Sequence, residues 1–293
     1  MTPTGGYHQP VMADEAVGFL VTRPDGVYID ATAGDGSHTL RIFERLGSSG
    51  KVLAIDRDDE AVARTARRLE EFSSRLGVTR GEFSNLKELA AKAGIATVDG
   101  ILFDLGISSY QIDSFERGFS YRGEGPLDLR MNRHGEMTAA EIVNSESEAD
   151  LARILFEYGE ERNSRRIAAA IVRRRARSPL LTTADLATVI TSVTNPRYIN
   201  KTLSRVFQAL RIVVNDELNQ LQAGLQAGLD ILRSRGRVVV IAYHSLEDRI
   251  VKNFFRQQAE LKVITKKPVG PSAAEITNNP RARSARMRAA EKI

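Results

Sequence analysis

Short apolar segments that alternate with helical patterns constrain the fold of this 293-residue chain more than any other feature. Residues 27–33, 51–56, 100–104 and 237–243 are apolar, partly β-branched runs of strand length, and a weaker run lies near 78–80. The segments between the first three of these runs show helical periodicity. Strands that alternate with helices predict a parallel, doubly wound α/β sheet.

A helical segment interrupts this alternation. Between residues 115 and 214 the sequence has helical patterns and no clear strand, and the α/β pattern then returns. The expected organisation is one α/β domain formed by residues 1–114 and 215–293, with an inserted helical subdomain at 115–214 that recognises the substrate. The predicted helices of the insertion span residues 139–156, 164–177, 183–191 and 202–213.

Composition excludes several classes of protein. No apolar run approaches the ~20 residues that a membrane helix needs, and the first ten residues lack the apolar core of a signal peptide. The chain has no cysteine, and its four histidines show no i, i+4 spacing, so we expect no disulfide and no local metal site. These features are typical of a cytoplasmic enzyme without a metal.

Basic residues concentrate in two segments. Residues 262–293 carry eight Lys or Arg and two Glu, while residues 162–177 carry seven Arg and no acidic residue. Such clusters indicate either solvated helix faces or surfaces that meet a polyanion. The stretch after Pro268 is rich in Pro, Ser, Asn and Arg and is expected to lie on the surface or to stay mobile.

A glycine-rich turn follows the first predicted strand, and carboxylates end two others. The turn contains Gly34 and Gly36, and the later strands end in Asp56 and Asp104. In doubly wound sheets a ligand binds at the carboxyl ends of the strands, where an acid can accept hydrogen bonds from ribose hydroxyls. This pattern predicts an adenosine cofactor, although Asp56 could instead cap the following helix.

The spacing around the turn bears on which cofactor binds. A dinucleotide fingerprint has a third glycine, and Thr39 stands at that position. Asp30 precedes Gly34 by four residues, which resembles the first motif of class I methyltransferases. S-adenosylmethionine is favoured, while a nicotinamide-dependent oxidoreductase and a glycine turn without a ligand remain as alternatives.

Longer motifs resemble one family. The chain is similar to the RsmH (MraW) family of bacterial methyltransferases in segments spread over nearly its whole length and in the family's order. Several of these segments, such as GPLDLRM and HSLEDR, are not generic fold motifs. The resembling segments include YIDATAGDGSH at 28–38, LAIDRD at 53–58, DLGISS at 104–109, GPLDLRM at 125–131, YHSLEDRI at 243–250 and NPRARS at 279–284.

This resemblance implies a fold, a reaction and a partner. The family's fold is a class I (Rossmann-like) methyltransferase sheet with a helical insertion. Its activity implies transfer of a methyl group from S-adenosylmethionine to N4 of a cytidine in the decoding region of 16S rRNA, within the small ribosomal subunit. A non-catalytic RNA-binding factor of ribosome assembly is the alternative from another functional class.

The resemblance also implies site residues. The family's cofactor loop falls on Gly36, Ser37 and His38, beside Gly34 of the same turn, and the family often has glycine in place of Ser37. A side chain at Ser37 restricts the backbone, so this departure bears on how closely a ligand approaches. The remaining implied cofactor contacts are Asp56, Phe83, Asp104 and Gln111.

Catalytic residues are less clearly indicated. Asp104 is the candidate acceptor for an N4–H of the cytosine, although the usual amino-methyltransferase motif does not follow it. His244 ends a predicted strand at the same edge and could face the substrate or be structural. Tyr110 or Tyr243 could stack on the extruded base. Tyr7 and His8 could close over the site or pack locally.

Overall fold

The computed structural model describes residues 9–135 and 137–293, which form two compact units. The described residues up to Gly106 join Leu218–Ile293 in the first unit, and Ile107–Glu217 form the second. The structure therefore divides the chain near the ends of the predicted insertion, eight residues earlier than expected at its start and three later at its end.

Seven strands form the sheet of the first unit. Their order is β3-β2-β1-β4-β5-β7-β6, and β7 runs antiparallel to both of its neighbours, whereas the other pairings are parallel. The strands are β1 (Val27–Asp30), β2 (Lys51–Asp56), β3 (Leu76–Arg80), β4 (Val98–Asp104), β5 (Leu232–Ala242), β6 (Leu261–Val263) and β7 (Arg286–Lys292).

Thirteen α-helices are numbered along the described chain. The first unit contains α1 (Ala13–Leu20), α2 (Ser37–Phe43), α3 (Asp59–Arg68), α4 (Leu86–Lys92), nearly all of α11 (Glu217–Ile231), α12 (Ser245–Gln257) and α13 (Ala273–Asn278). The second unit contains α5 (Ser109–Asp113), α6 (Ala139–Ser145), α7 (Glu148–Glu157), α8 (Ser164–Arg175), α9 (Thr183–Val193) and α10 (Ile199–Val214).

Successive residues of the strands enter two different apolar layers. Ile29 and Leu53 pack in one layer with the leucines of α11, while Tyr28 and Val52 pack in the other with α1 and α2. Because side chains alternate across a strand, both faces of the sheet are covered. This arrangement confirms the predicted doubly wound sheet.

The end of the basic C-terminal segment forms an inner strand of the sheet, β7. We expect the stretch after Pro268 to be mobile or to lie on the surface. Residues 272–274 and 277–278 are exposed, but the prediction is wrong for residues 286–292, because β7 lies between β5 and β6. Met287 and Ala289 are fully buried. The buried Arg288 obscured the strand pattern, since its charge is compensated by Asp248, a partner 40 residues away.

The second unit is a helical subdomain with its own core. Helices α6 to α10 bury the residues of a single cluster that includes Leu151, Ile171 and Phe207. The single helix predicted over 139–156 is two helices, because Ser147 accepts a hydrogen bond from the backbone of Asp150 and so starts α7 anew. Among the described residues of both units, we find no helix that combines the length and apolarity needed to span a bilayer.

Candidate functional site

Three aspartates end three strands of the first unit at the same edge of its sheet. Asp30 ends β1, Asp56 ends β2 and Asp104 ends β4. Strand β1 lies between β2 and β4, so the order of the strands reverses there. A crevice for a ligand forms at such a reversal in open α/β sheets. The structure thus brings together the acids that the sequence indicated.

The loop after β1 depends on its glycines. Gly34 and Gly36 have φ values of 58° and 79°, which side chains rarely tolerate. A Cβ at Gly36 would also lie 3.2 Å from Cδ1 of Leu69. Ser37 is outside this left-handed region, and its hydroxyl accepts a 2.5 Å hydrogen bond from Arg68. The serine in place of a family glycine therefore causes no backbone strain.

Asp56 joins the first two loops of the site. Its Oδ2 accepts a 2.8 Å hydrogen bond from the backbone N–H of Gly34, and its Oδ1 accepts a 2.9 Å bond from that of Asp58. Burial raises the pKa of Asp56 to about 6, although these N–H groups favour the ionised form. Asp58, not Asp56, caps α3, because its side chain accepts from Glu60. The alternative that Asp56 is the helix cap is therefore wrong.

Asp30 is fully buried beneath the loop. The hydroxyl of Thr39 donates a 2.6 Å hydrogen bond to its Oδ2. Burial raises the pKa of Asp30, and nearby His38 opposes that rise. Thr39 occupies the place of the third glycine of a dinucleotide fingerprint, and here it serves as a hydrogen-bond donor to Asp30. The sequence did not indicate this role for Thr39.

The N-terminus of α2 faces a carboxylate of the chain itself. Oδ1 of Asp35 accepts a 3.0 Å hydrogen bond from the backbone N–H of Ser37, and its Oδ2 lies 3.0 Å from Nη1 of Arg68. In a dinucleotide-binding fold, the pyrophosphate occupies the corresponding helix start. Asp35 and Arg68 were not among the predicted site residues.

Asp104 contacts two other side chains of the sheet edge. Its Oδ1 accepts a 2.8 Å hydrogen bond from the hydroxyl of Tyr243, and its Oδ2 lies 3.4 Å from Nδ1 of His38. Nε2 of His38 lies 3.0 Å from the carbonyl oxygen of Val11, which can only accept, so Nε2 carries a proton. Burial raises the pKa of Asp104 to about 6 against the effects of His38 and Tyr243.

His244 forms the N-terminal cap of α12. Its Nδ1 accepts from the backbone N–H of Glu247, and Oε2 of Glu247 accepts from the backbone of Tyr243 and His244 at 2.8 and 3.2 Å. This capping box fixes the junction after β5. The structure therefore gives His244 a structural task, and its catalytic role stays a prediction.

The other two predicted cofactor contacts have local packing partners. Phe83 packs edge to face on Phe103, with ring centroids 5.7 Å apart, and a Cβ at Gly224 would lie 2.6 Å from its ring. Gln111 belongs to the second unit, where its side chain accepts from the backbone of Ser108 in the capping box of α5. Tyr7 and His8 lie outside the described residues.

Comparison with known proteins identifies the family. Residues 6–293 match the model of the MraW methylase family. Ribosomal RNA small subunit methyltransferase H of Caldicellulosiruptor bescii is 46% identical, with 98% of this chain and 99% of the relative covered. The protein of the same name from Thermomicrobium roseum is 47% identical, with 99% and 95% covered.

Among solved structures, an rRNA methylase from Streptococcus thermophilus aligns with 96% of this chain and 93% of its own at 12% identity and a TM-score of 0.46. The family assignment rests on the sequence relatives and not on this remote likeness. Together with the strand order, the assignment confirms the expected Rossmann-like class I methyltransferase sheet. The chain belongs to the MraW methylase family.

Proposed function

We propose that this protein transfers the methyl group of S-adenosylmethionine to N4 of a cytidine in the decoding region of 16S rRNA. The observation that carries the proposal is the meeting of Asp30, Asp56 and Asp104 at one sheet edge in a chain of the MraW methylase family. Relatives that match over nearly their whole length are named for methylation of small-subunit ribosomal RNA.

The donor set at this edge suits S-adenosylmethionine. That cofactor carries a sulfonium and an ammonium group, both positive, and a ribose with two hydroxyls. Each oxygen of Asp56 accepts one backbone N–H and keeps a lone pair for a ribose hydroxyl. When bound, S-adenosylmethionine supplies an activated methyl group.

The same edge is unfavourable for a pyrophosphate. Asp35 already accepts the N–H at the start of α2, and Asp30, Asp56 and Asp104 add further carboxylates. A dinucleotide would place two negatively charged phosphates beside these carboxylates, and the like charges would repel each other. This argument favours the methyltransferase over the nicotinamide-dependent oxidoreductase.

Asp104 is the proposed acceptor for the amino group of the cytosine. The N4 lone pair is delocalised into the ring, so an acceptor for N4–H favours a pyramidal nitrogen and can then receive the proton. Burial raises the pKa of Asp104 to about 6, close to the neutral range in which a general base is effective. Tyr243 donates to Oδ1 and Nδ1 of His38 lies 3.4 Å from Oδ2, and each carboxylate oxygen keeps a second lone pair for the substrate.

The direct test is transfer of labelled methyl to small ribosomal subunits taken from cells that lack the endogenous enzyme. The labelled RNA is digested and its nucleosides are identified, with subunits from unmodified cells, already methylated, as the control. Label on N4-methylcytidine is the expected result. Cofactor binding without any label would favour the non-catalytic assembly factor, and label on another nucleoside would change the substrate.

A further inference from the structure

The seven arginines of residues 162–177 fall into two groups in the structure. Two of them bind the protein itself: Arg174 donates a 2.6 Å hydrogen bond to the carbonyl of Ser178, and Arg175 donates a 2.8 Å bond to that of Val143. The other five are exposed and form no ion pair or side-chain hydrogen bond with the described part of the chain. These five, here called the arginine stripe, are Arg162, Arg165, Arg166, Arg173 and Arg177.

The arginine stripe follows one face of α8. Arg165, Arg166 and Arg173 lie on α8 within an arc of about 100°, and Arg162 and Arg177 flank the two ends of the helix. Ala169 and Ala176 lie on the same face between the arginines, whereas Ile167 and Ile171 lie opposite and are fully buried in the core of the second unit. The stripe thus combines guanidinium groups with small alanine side chains, which let an extended partner approach the helix closely.

Arg153, an exposed arginine elsewhere in this unit, has two counter-charges. Arg153 on α7 lies 3.1 Å from Asp150 and 3.6 Å from Glu157. Residues 162–177 contain no acidic residue, so the stripe gathers positive charge that α8 itself does not compensate. Mutual repulsion of these charges is relieved when phosphates bind, and the planar guanidinium group suits a phosphate through two parallel hydrogen bonds.

We propose that the arginine stripe of α8 binds backbone phosphates of the RNA that carries the target nucleotide. The inference rests on the proposed function for its partner, and it assigns a task to the helical unit. The basic C-terminal segment is a poorer candidate, because Arg288 is buried against Asp248 and Lys292 donates to the carbonyl of Leu229. Arg165 and Arg173 are about 12 Å apart along the helix axis, which allows contacts to separate phosphates.

The test compares full-length wild type with the triple variant Arg165→Gln, Arg166→Gln, Arg173→Gln. Binding to unmethylated small subunits is measured over a range of salt concentrations. Each lost phosphate contact removes about 0.7–0.9 from the slope of log affinity against log salt, so a total change of about 2 is expected. The control Arg153→Gln removes an exposed but ion-paired arginine of the same unit and should leave the slope unchanged.

A slope that stays the same in the triple variant, or that falls equally in the control, would overturn the proposal. Affinity for S-adenosylmethionine is measured on the same samples and should not change, which shows that the variants are folded. The assignment of the stripe is separable from the proposed function. If wild type binds subunits through the stripe but labels no cytidine, the proposed function fails while the phosphate surface stands.

Discussion

The hydroxyl of Tyr243 donates a 2.8 Å hydrogen bond to Oδ1 of Asp104 and so joins the end of β5 to the end of β4. Burial and the carboxylate of Asp104 raise the pKa of Tyr243 well above its ordinary value, so the hydroxyl keeps its proton and remains a donor. Three ionisable groups also act on the pKa of Asp104: His38 lowers it, and Asp30 and Glu247 raise it.

Replacement of Tyr243 with phenylalanine should shift the pH dependence of methyl transfer. Asp104 must be ionised to accept a proton, so activity falls as the pH drops through its pKa of about 6. Loss of the hydroxyl removes a bond worth about 1.5 kcal/mol to the charged form, which raises this pKa by about one unit. The acid limb of kcat against pH should therefore move to higher pH in Tyr243→Phe.

The variant Asp104→Asn provides the control for this shift. It lacks the titrating carboxylate, so any residual kcat, measured with saturating S-adenosylmethionine so that Asp56 has no influence, should show no acid limb near pH 6. Tyr243→Phe added to Asp104→Asn should then change the profile no further, since the two side chains act as a pair. An acid limb that is the same in wild type and Tyr243→Phe would separate Tyr243 from the titration of Asp104.

Asp56→Asn should weaken binding of S-adenosylmethionine. An amide keeps one acceptor oxygen and loses the charge, which costs about 1.5–3 kcal/mol for a charge-assisted bond, or about 10- to 100-fold in Kd. Because burial raises the pKa of Asp56 to about 6, affinity of the wild type should also fall as the pH drops through 6, and this dependence should vanish in the variant.

Calorimetry at several pH values measures both effects of Asp56. Asp59→Asn is a suitable control, because Asp59 lies three residues further on, is exposed and pairs with Arg80 on the surface. Its Kd should match that of the wild type. Equal affinities for Asp56→Asn and wild type would mean that Asp56 only ties the loops together.

The sequence predicts those parts of the site that depend on local patterns. Strand β2 begins and ends at the predicted residues, and the turn at Gly34 and Gly36 follows β1 as expected. Buried parallel strands are continuous apolar runs, and the carboxylates that end the runs 51–56 and 100–104 are visible without a structure. The positions of Asp56 and Asp104 at this edge could therefore be inferred, whereas the run predicted over 27–33 ends three residues earlier in β1, at Asp30.

The parts that were missed depend on partners far apart in the sequence. Tyr243 and Asp104 are 139 residues apart, and no local pattern relates them. Strand β7 escaped notice because its charged Arg288 is buried through a tertiary ion pair with Asp248. The capping task of His244 is an exception, because its partner Glu247 is only three residues away; here the position at a strand end suggested catalysis instead.

Gly36→Ala should reduce both stability and cofactor affinity, whereas Gly94→Ala should reduce only stability. Both glycines have φ values above 70°, so a side chain at either costs about 1–2 kcal/mol. A Cβ at Gly94 would meet nothing within 4 Å, but one at Gly36 would press on Leu69 and Thr65 beneath the loop. Urea unfolding and calorimetry with S-adenosylmethionine measure the two effects. Equal cofactor affinity in both variants would contradict a close approach of the loop to the ligand.

Arg288→Ala should destabilise the fold far more than Arg286→Ala, although both arginines lie on β7 and near Asp248. Arg288 is buried and donates two hydrogen bonds of 2.6 and 3.1 Å to Asp248, while the half-exposed Arg286 lies 3.7 Å from Asp248. Removal of one partner of a buried pair costs about 3–5 kcal/mol, because the other charge stays buried, and an exposed pair contributes about 0–1 kcal/mol.

Urea unfolding of the two variants measures this difference in the free energy of unfolding. For the same reason, deletion of residues 281–293 should unfold the first unit and abolish binding of S-adenosylmethionine, since it removes the strand that pairs with both β5 and β6. Loss of folding also abolishes RNA binding. Without the measurements of unfolding and cofactor binding, the effect of the deletion could therefore be mistaken for loss of an RNA-binding tail. A deletion variant that retains cooperative unfolding and cofactor affinity would show that β7 is dispensable. Equal stability of Arg288→Ala and Arg286→Ala would show that the buried ion pair with Asp248 does not explain the charged residue at position 288.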